Sequence, residues 1–221
     1  YGPGAGVVRY QEAVRVLDPL AREQAVTPRH IFDDLSRSFH NCVLGIDLKE
    51  APFTDADASG WFVDQDFIPR SSSSCSVVVQ GVKKGESATL TTMWTVLGYA
   101  PTGVAVPLWV DSELPRMVCM DDGLGTSPLS YGSLSLKDRV FSLKWGMGSD
   151  RYLHWSLLYN AQGSGYMQQL APYEAENFEQ AERALERWRR QNRVDRQEMK
   201  ALYRRLDNSS LWKQYKEWLE E

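Results

Sequence analysis

The spacing of the apolar residues changes twice along the chain. Residues 7–50 repeat apolar side chains at the three- to four-residue interval of helices, and residues 61–110 hold short runs rich in β-branched side chains. The helical interval returns after Pro172. Strands and helices that are segregated along a sequence are typical of the α+β class, so the pattern predicts an α+β chain.

Two helices are predicted before the β-rich part. The first carries its apolar residues on one face, at Val7, Tyr10, Val14 and Leu17. The second begins at Thr27-Pro28, because threonine is a good N-cap and proline is favoured at the first helical position. It ends before Gly45, and its apolar face is formed by Ile31, Phe32, Leu35 and Phe39.

Short extended segments follow these helices. The predicted strands are, in order, Trp61–Ile68, Ser76–Val82, Ala88–Leu97 and Val104–Val110. We expect the second of them to be buried and joined to the third by a hairpin turn at residues 83–86. The fourth contains Pro107, which cannot donate a ladder hydrogen bond and therefore favours a sheet edge or a bulge.

The last hundred residues divide into an ambiguous part and a clear one. Lys137–Lys144 fits a helix or a strand, and Tyr152–Tyr159 is apolar enough to be buried in either form. After Pro172, mixed charges at helical spacing predict three helices, Glu174–Gln191, Asp195–Leu206 and Ser210–Glu221. We therefore divide the chain into residues 1–171 and a helical C-terminal segment, residues 172–221, that packs on them.

Composition and charge narrow the classes of partner. The chain has 221 residues, 43% of them hydrophobic, and a formal net charge of −4, which gives no general attraction for phosphate backbones or anionic lipid. The basic residues between 183 and 205 alternate with acidic ones, as on a solvated helix surface. No apolar run approaches the roughly 18 residues of a membrane span. We predict neither nucleic acid nor a membrane as a partner.

The run Ser71–Ser74 beside Cys75 is the most conspicuous candidate for a nucleophile. Such a group needs an activating base within hydrogen-bond reach, and Arg70, the only ionisable neighbour within five residues, stays protonated. Alternation with Val77 and Val79 instead places Cys75 on one face of a strand, where we expect the thiol to be packed. The serines then form a polar turn before the strand.

The remaining nucleophiles and ligands lack recognisable spacing. The cysteines are too few and too far apart for a disulfide framework or a CxxC metal site: Cys42, Cys75 and Cys119. None of the three histidines has the local context of a triad base: His30, His40 and His154. The sequence indicates neither a metal nor an organic cofactor.

Several segments occur in the order found in one enzyme family. They are Val8-Arg9-Tyr10, Thr27-Pro28, Leu35 to Phe39, Asp66 to Ser74, Val77 to Glu86, Thr91 to Gly98 and Val104 to Val110. Over residues 6–115 this order resembles the C-terminal part of bacterial acyltransferases and linear amide C–N hydrolases similar to the isopenicillin N acyltransferase family. These belong to the N-terminal nucleophile (Ntn) hydrolases and are related in chemistry to penicillin acylases.

The resemblance implies an αββα sandwich, in which two stacked antiparallel sheets lie between layers of helices. In such enzymes autoproteolysis of a precursor exposes an N-terminal cysteine, whose thiol attacks an amide carbonyl while its α-amino group acts as the base. An α-amino group has a pKa near ~8 and needs no histidine, metal or cofactor for this role. The resemblance therefore implies that the nucleophile lies upstream of Tyr1, that residues 1–171 are the downstream portion of the domain, and that the isolated chain is inactive.

The same resemblance suggests residues for the substrate pocket and partners for the chain. Ser74 is the candidate pocket residue, and Arg70 is a candidate contact for an anion or a carbonyl group. The implied partners are a small-molecule acyl amide and the upstream portion of the same precursor, with a homo-oligomer left open. The sequence does not indicate which acyl group the enzyme would accept. A periplasmic or secreted location is slightly favoured over a cytoplasmic one.

A second interpretation comes from a different functional class. The chain could be a non-catalytic binding or scaffolding domain that holds a partner with the aromatic residues of its C-terminal helices, since aromatic side chains dominate binding hot spots. These residues are Trp188, Trp212 and Trp218. They fit equally the interior of a small helical unit that packs on the rest of the chain.

Overall fold

The computed structural model of the protein describes residues 6–56, 58, 60–110 and 113–220. Helices account for 48% and strands for 13% of the structure, and the sheets are small and antiparallel. The predicted α+β class is confirmed.

The elements follow one another with short connections. The helices are α1 (Val7–Arg22), α2 (Pro28–His30), α3 (Pro128–Val140), α4 (Trp155–Leu158), α5 (Tyr166–Gln191), α6 (Arg196–Asp207) and α7 (Leu211–Glu220). A π-helical turn, Ile31–Ser36, continues α2 directly. The strands are β1 (His40–Asn41), β2 (Ile46–Asp47), β3 (Trp61–Val63), β4 (Cys75–Gln80), β5 (Thr92–Leu97), β6 (Val106–Leu108) and β7 (Tyr152–His154).

The strands form three separate antiparallel sheets in the described part of the chain. β1 pairs with β2, β3 pairs with β7, and the largest sheet has the order β4-β5-β6. The turn at residues 83–86 joins β4 to the segment before β5, and Gly85 has the positive φ (90°) that favours glycine there. Pro107 lies on β6, an edge strand of this sheet, opposite Trp94 of β5. The edge position was predicted, because proline has no N–H group to donate to a neighbouring strand.

Strand β4 exposes the face that was expected to be buried. Val77 is 51% exposed, Val79 is 63% exposed, and Cys75 is also exposed. Met93 lies opposite Val79 on β5 and is 40% exposed. The predicted burial of this strand, and the packed position expected for Cys75, are therefore wrong. The alternation was correct, but β4 lies at the sheet edge, and its better-covered face is the opposite one, where Trp94 stacks on Phe178 of α5 with ring centroids 4.2 Å apart.

Helix α1 also directs its apolar face to solvent. Val7, Tyr10 and Val14 are 48%, 71% and 43% exposed. They do share a helical face, as the sequence predicted, yet the buried residue of α1 is Glu12 on the opposite side. A polar contact with the segment after the π-helical turn, rather than apolar packing, therefore orients this helix.

The C-terminal helices agree closely with prediction, except for the boundary before them. Helix α5 runs without interruption through Pro172, so the division between residues 171 and 172 falls inside a helix. Asp195 caps α6 by accepting hydrogen bonds from the N–H groups of Gln197 and Glu198. The aromatic residues of these helices belong to the core, since Trp188 is fully buried and Trp218 is 6% exposed.

The ambiguous segments resolve into mixed structure. Lys137–Lys144 begins inside α3, which ends at Val140, and the remainder is irregular. Tyr152–Tyr159 is buried as expected at Leu153, Trp155 and Leu158, and it divides into β7 and α4. Of the extended run Trp61–Ile68, only the first three residues form a strand.

Close packing of α3 against α7 leads to a first prediction. A Cβ atom added at Gly132 would lie 2.5–2.7 Å from ring carbons of Tyr215, which is fully buried and donates a 2.9 Å hydrogen bond to the carbonyl of Thr102. We expect Gly132→Ala to lower the free energy of unfolding by about 1–3 kcal/mol through overpacking, measured by urea denaturation. Gly81→Ala is the control, because nothing lies within 4 Å of its added Cβ. Equal stability of the two variants would contradict this packing.

Candidate functional site

Two concave surfaces meet at Asp33 and Lys49 and together form what we call the charged cleft. The α5 lobe, about 380 Å³, lies between the π-helical turn and α5. The α1 lobe, about 390 Å³, lies between α1 and the segment from Asp33 to Lys49. Asp33 and Lys49 line both lobes, so a ligand in either one would meet the same two side chains.

A buried ion pair forms the inner wall of the α5 lobe. Arg37 donates two hydrogen bonds of 2.6 Å to the carboxylate of Glu174, and its side chain is only 10% exposed. It also donates to the carbonyl oxygens of Ala100 (2.9 Å) and Gly103 (3.2 Å), while Glu174 accepts from the N–H of Ala105. Both ions have their hydrogen-bonding capacity largely filled within the protein, so the pair is structural.

A second, more exposed ion pair closes the other end of the α5 lobe. Arg29 donates two 2.9 Å hydrogen bonds to Glu182 of α5, and its guanidinium lies 4.6 Å from the ring centroid of Phe178. Eight residues separate Glu174 from Glu182, which is about 12 Å along a helix. These two ion pairs, which we call the arginine bridges, therefore fix the distance between the π-helical turn and α5. Asp33 lies between the two arginines in the sequence.

The side chains of Asp33 and Lys49 can each form further hydrogen bonds. Asp33 accepts one 3.2 Å hydrogen bond from Arg37 and is 56% exposed. Burial raises the pKa of its carboxyl group, and the nearby charge of Glu174 raises it further. Among the described residues, no hydrogen bond or ion pair engages the ammonium group of Lys49. In the α5 lobe, Asp33 and Lys49 therefore present a carboxylate and an ammonium group to a ligand, and the α1 lobe adds the carboxylates of Asp34 and Asp47.

The α1 lobe contains a carboxylate–imidazole pair. Glu12, with a side chain 1% exposed, lies 2.7 Å from Nδ1 of His40 and accepts hydrogen bonds from Ser38 Oγ (3.0 Å) and from the guanidinium of Arg15 (2.6 and 3.0 Å). Burial raises the pKa of Glu12, but the hydrogen bonds from Arg15, His40 and Ser38 outweigh it and lower the pKa to about 2. Glu12 therefore remains ionised at neutral pH.

This pair has the chemistry of an oriented base. A carboxylate that holds Nδ1 of an imidazole leaves Nε2 as the atom that exchanges a proton with a ligand. The serine in the network, Ser38, donates to the carboxylate and is not a nucleophile in this arrangement. No cluster of three or more histidine, cysteine, aspartate or glutamate side chains suited to a metal ion occurs among the described residues.

A second histidine meets a serine at the exposed end of β7. Nε2 of His154 lies 3.0 Å from Ser156 Oγ, and its ring stacks on Trp61 with centroids 4.4 Å apart. Burial lowers the pKa of His154. A nucleophile and base at this distance still need a third group that orients the base, and no carboxylate pairs with His154 within the described ranges.

The serine run lies away from the charged cleft. Ser74 is exposed at the start of β4, and its carbonyl accepts from the N–H of Gly98 (3.0 Å). Serine hydroxyls in turns often form hydrogen bonds with a nearby backbone group. In this run Ser73 does so, because its Oγ accepts a 3.2 Å hydrogen bond from the N–H of Arg70. Neither Ser74 nor the guanidinium of Arg70 lines the charged cleft. The nucleophile is expected upstream of Tyr1, and Tyr1 itself lies outside the described residues.

Buried polar groups support the serine run from below. The carboxylate of Asp64, which is 2% exposed, accepts from the N–H of Ser71. Lys137 donates to the carbonyl of Ser73 (3.4 Å), and burial lowers the pKa of its ammonium group. These contacts fix the turn that leads into β4.

None of the three cysteines forms a hydrogen bond with a basic side chain in the described structure, although Cys42 interacts electrostatically with Arg15. Cys42 Sγ donates to the carbonyl of Val8 (3.8 Å), and Cys119 Sγ to that of Leu114 (4.0 Å). Cys75 is exposed without a base beside it.

Three comparisons with known proteins place no relative beside this chain. No family model, no curated protein and no solved structure matches it. The described helices also include none that is long and apolar enough to cross a membrane.

The sequence missed the charged cleft because its members are far apart along the chain. Glu12 and His40 are 28 residues apart, and Arg37 and Glu174 are 137 apart. One signal was present: Glu12 stands opposite the apolar stripe of α1, where a lone acidic residue has no partner within the helix other than Arg15.

The lowered pKa of Glu12 leads to a prediction about pH. Because the folded-state pKa lies below the ordinary value of 4.5, the stabilisation is complete above about pH 4.5 and is lost as the pH falls toward about 2. We expect Glu12→Gln to cost about 3 kcal/mol at pH 7, measured by urea denaturation, and this difference from the parent protein to shrink below pH 4.5. Glu23→Gln, at the exposed residue that directly follows this helix, is the control. A difference that grows toward low pH would contradict the network.

Removing one partner of the buried ion pair gives a further prediction. Arg37→Met leaves Glu174 buried and charged, so we expect a loss of about 3–5 kcal/mol in the free energy of unfolding. Arg29→Met is the matched control, because its pair with Glu182 is 37% and 50% exposed, and we expect a loss within about 1 kcal/mol. Chemical denaturation compares the two variants. A larger loss for Arg29→Met would show that Arg37–Glu174 is not the bridge that holds α5.

Proposed function

We propose that this chain is the downstream portion of an autoprocessed Ntn amidohydrolase or acyltransferase that acts on linear, non-peptide amide bonds. The nucleophile is an N-terminal cysteine that precedes residue 1 in the precursor. The substrate is a small-molecule acyl amide, and the reaction requires no metal or organic cofactor.

The observation that carries this proposal is the open face of the β4-β5-β6 sheet, which is open along β4 and at the adjoining end of β5. Helix α5 covers one face of the sheet through Phe178. On the other face Val77, Val79 and Met93 remain 40–63% exposed, whereas Thr95, Val106 and Leu108 are buried. In an αββα sandwich a second antiparallel sheet would pack on this face at about 10 Å. The finer architecture is therefore proposed as one helix layer and one sheet, completed by strands from upstream.

The unpaired edge of β4 supports the same arrangement. β4 is six residues long and contains no proline, glycine or charged residue, the devices that usually protect an edge strand. An adjoining strand would satisfy the outward N–H and C=O groups of Cys75, Val77 and Val79. The exposed stripe of α1 adds a second apolar surface for the upstream portion.

The chemistry would not require a triad in this chain. The α-amino group of the N-terminal cysteine accepts the thiol proton while sulfur attacks the amide carbonyl. The resulting ammonium group returns this proton to the amide nitrogen, the C–N bond breaks, and the substrate amine departs to leave a thioester. Water then releases the acid, or an acceptor amine takes the acyl group. Ser74 and Arg70, at the start of β4 beside the open face, would line the pocket and contact the substrate without attacking it.

The scaffolding alternative depended on the tryptophans of the C-terminal helices as a binding surface. Trp188 is fully buried and Trp218 is 6% exposed, and both contribute to the core. Trp212 is partly buried and packs against the same interior. These tryptophans therefore contribute to packing, and the open sheet face is the stronger candidate for a contact surface.

The test is expression from the complete reading frame, followed by mass spectrometry of the N-terminus and an assay with penicillins and N-acyl amino acids. We expect self-cleavage before a cysteine and then amide hydrolysis, with no activity in the isolated 221 residues. Val79→Lys on the open face should impair processing, whereas Val26→Lys, 45% exposed on the α1–α2 connection, should not. Activity of the isolated chain that Cys75→Ala abolishes would overturn the proposal.

A further inference from the structure

The α5 lobe combines an apolar wall with two opposite charges that can form further hydrogen bonds: Asp33, which accepts a single 3.2 Å hydrogen bond from Arg37, and Lys49. Its wall is formed by Pro101, Tyr159, Met167, Leu170 and Phe178. Ala171 and Ala175 lie on the same face of α5, and their small side chains leave room for a ligand between the two helical segments. A volume of about 380 Å³ is within the usual range for small-molecule sites.

The charged groups at this lobe are not equivalent. Arg37 and Glu174 satisfy each other, and Arg29 pairs with Glu182. Asp33 and Lys49 remain, and they form no ion pair with each other although Lys49 influences the carboxyl group of Asp33 through its charge. A neutral or singly charged ligand would satisfy at most one of them, whereas a zwitterion would satisfy both.

We propose that the α5 lobe binds an α-amino acid with a large apolar side chain. The carboxylate accepts hydrogen bonds from Lys49, the ammonium group donates to Asp33, and the side chain packs on Met167, Tyr159 and the alanine face of α5. Charge-assisted hydrogen bonds are about twice as strong as neutral ones, so both charges contribute to selectivity. This inference concerns binding by the chain itself and does not rest on the proposed function.

Rigid walls favour such a site. The arginine bridges at both ends fix the distance between the π-helical turn and α5, so the apolar wall and Asp33 are preorganised before a ligand binds. Asp33 is held in addition by Arg37, which directs one carboxylate oxygen inward and leaves the other free. The long side chain of Lys49 supplies the adaptable contact.

Calorimetry on the 221-residue chain tests the site with three probes. L-phenylalanine carries both charges, N-acetyl-L-phenylalanine lacks the ammonium group, and L-phenylalaninamide lacks the carboxylate. We expect saturable binding of L-phenylalanine with a Kd below about 1 mM, and at least about tenfold weaker binding of the other two, which is about 1.4 kcal/mol for each lost charge. No saturation by L-phenylalanine up to about 10 mM would overturn the proposal, as would equal binding of either analogue.

Variants assign the two charges to their residues. Asp33→Asn should lower the affinity for L-phenylalanine at least tenfold and should not raise the affinity for L-phenylalaninamide. Lys49→Met should abolish the preference for L-phenylalanine over L-phenylalaninamide. Lys84→Met and Asp122→Asn remove the same charges from exposed positions outside the cleft and serve as controls. Circular dichroism checks that each variant is folded. Unchanged affinity in both cleft variants would place the ligand elsewhere and reject the site, whatever the fate of the proposed enzymatic activity.

Discussion

The buried ion pair between Arg37 and Glu174 is the interaction on which the rest of the structure depends. It links three parts of the chain that are remote in sequence: the end of the π-helical turn, the loop of Ala100–Ala105 and the middle of α5. A charge with this little solvent access is tolerated only because every partner is in place. The pair therefore joins the N-terminal helices, the main sheet and the C-terminal helices into one body, and it forms the wall of the charged cleft.

Polar contacts on the inner face and apolar side chains on the outer face characterise helix α1. Glu12 anchors α1 through Ser38 and His40, while Val7, Tyr10 and Val14 face solvent. The open sheet face at Val77 and Val79 has the same character. Both surfaces expose neighbouring apolar side chains, a feature that often marks a contact surface.

The two candidate sites have different physical origins. The serine run is local, since neighbouring side chains and Asp64 organise it as a turn, and its role depends on what covers the open face. The charged cleft is assembled from remote residues, and its two most buried carboxylates, Glu12 and Glu174, have their partners within the protein.

Local regularities were read correctly from the sequence alone. Capping at Thr27, the turn at Gly85, the edge position of Pro107 and the helices after Pro172 each depend on residues within a few positions of one another. Which face of α1 or β4 turns inward was decided only by the tertiary structure, because the period of a pattern specifies a shared face and not what covers it. The charged cleft likewise required the fold, since the hydrogen bonds of Glu12 and Glu174 cross 28 and 137 residues of chain.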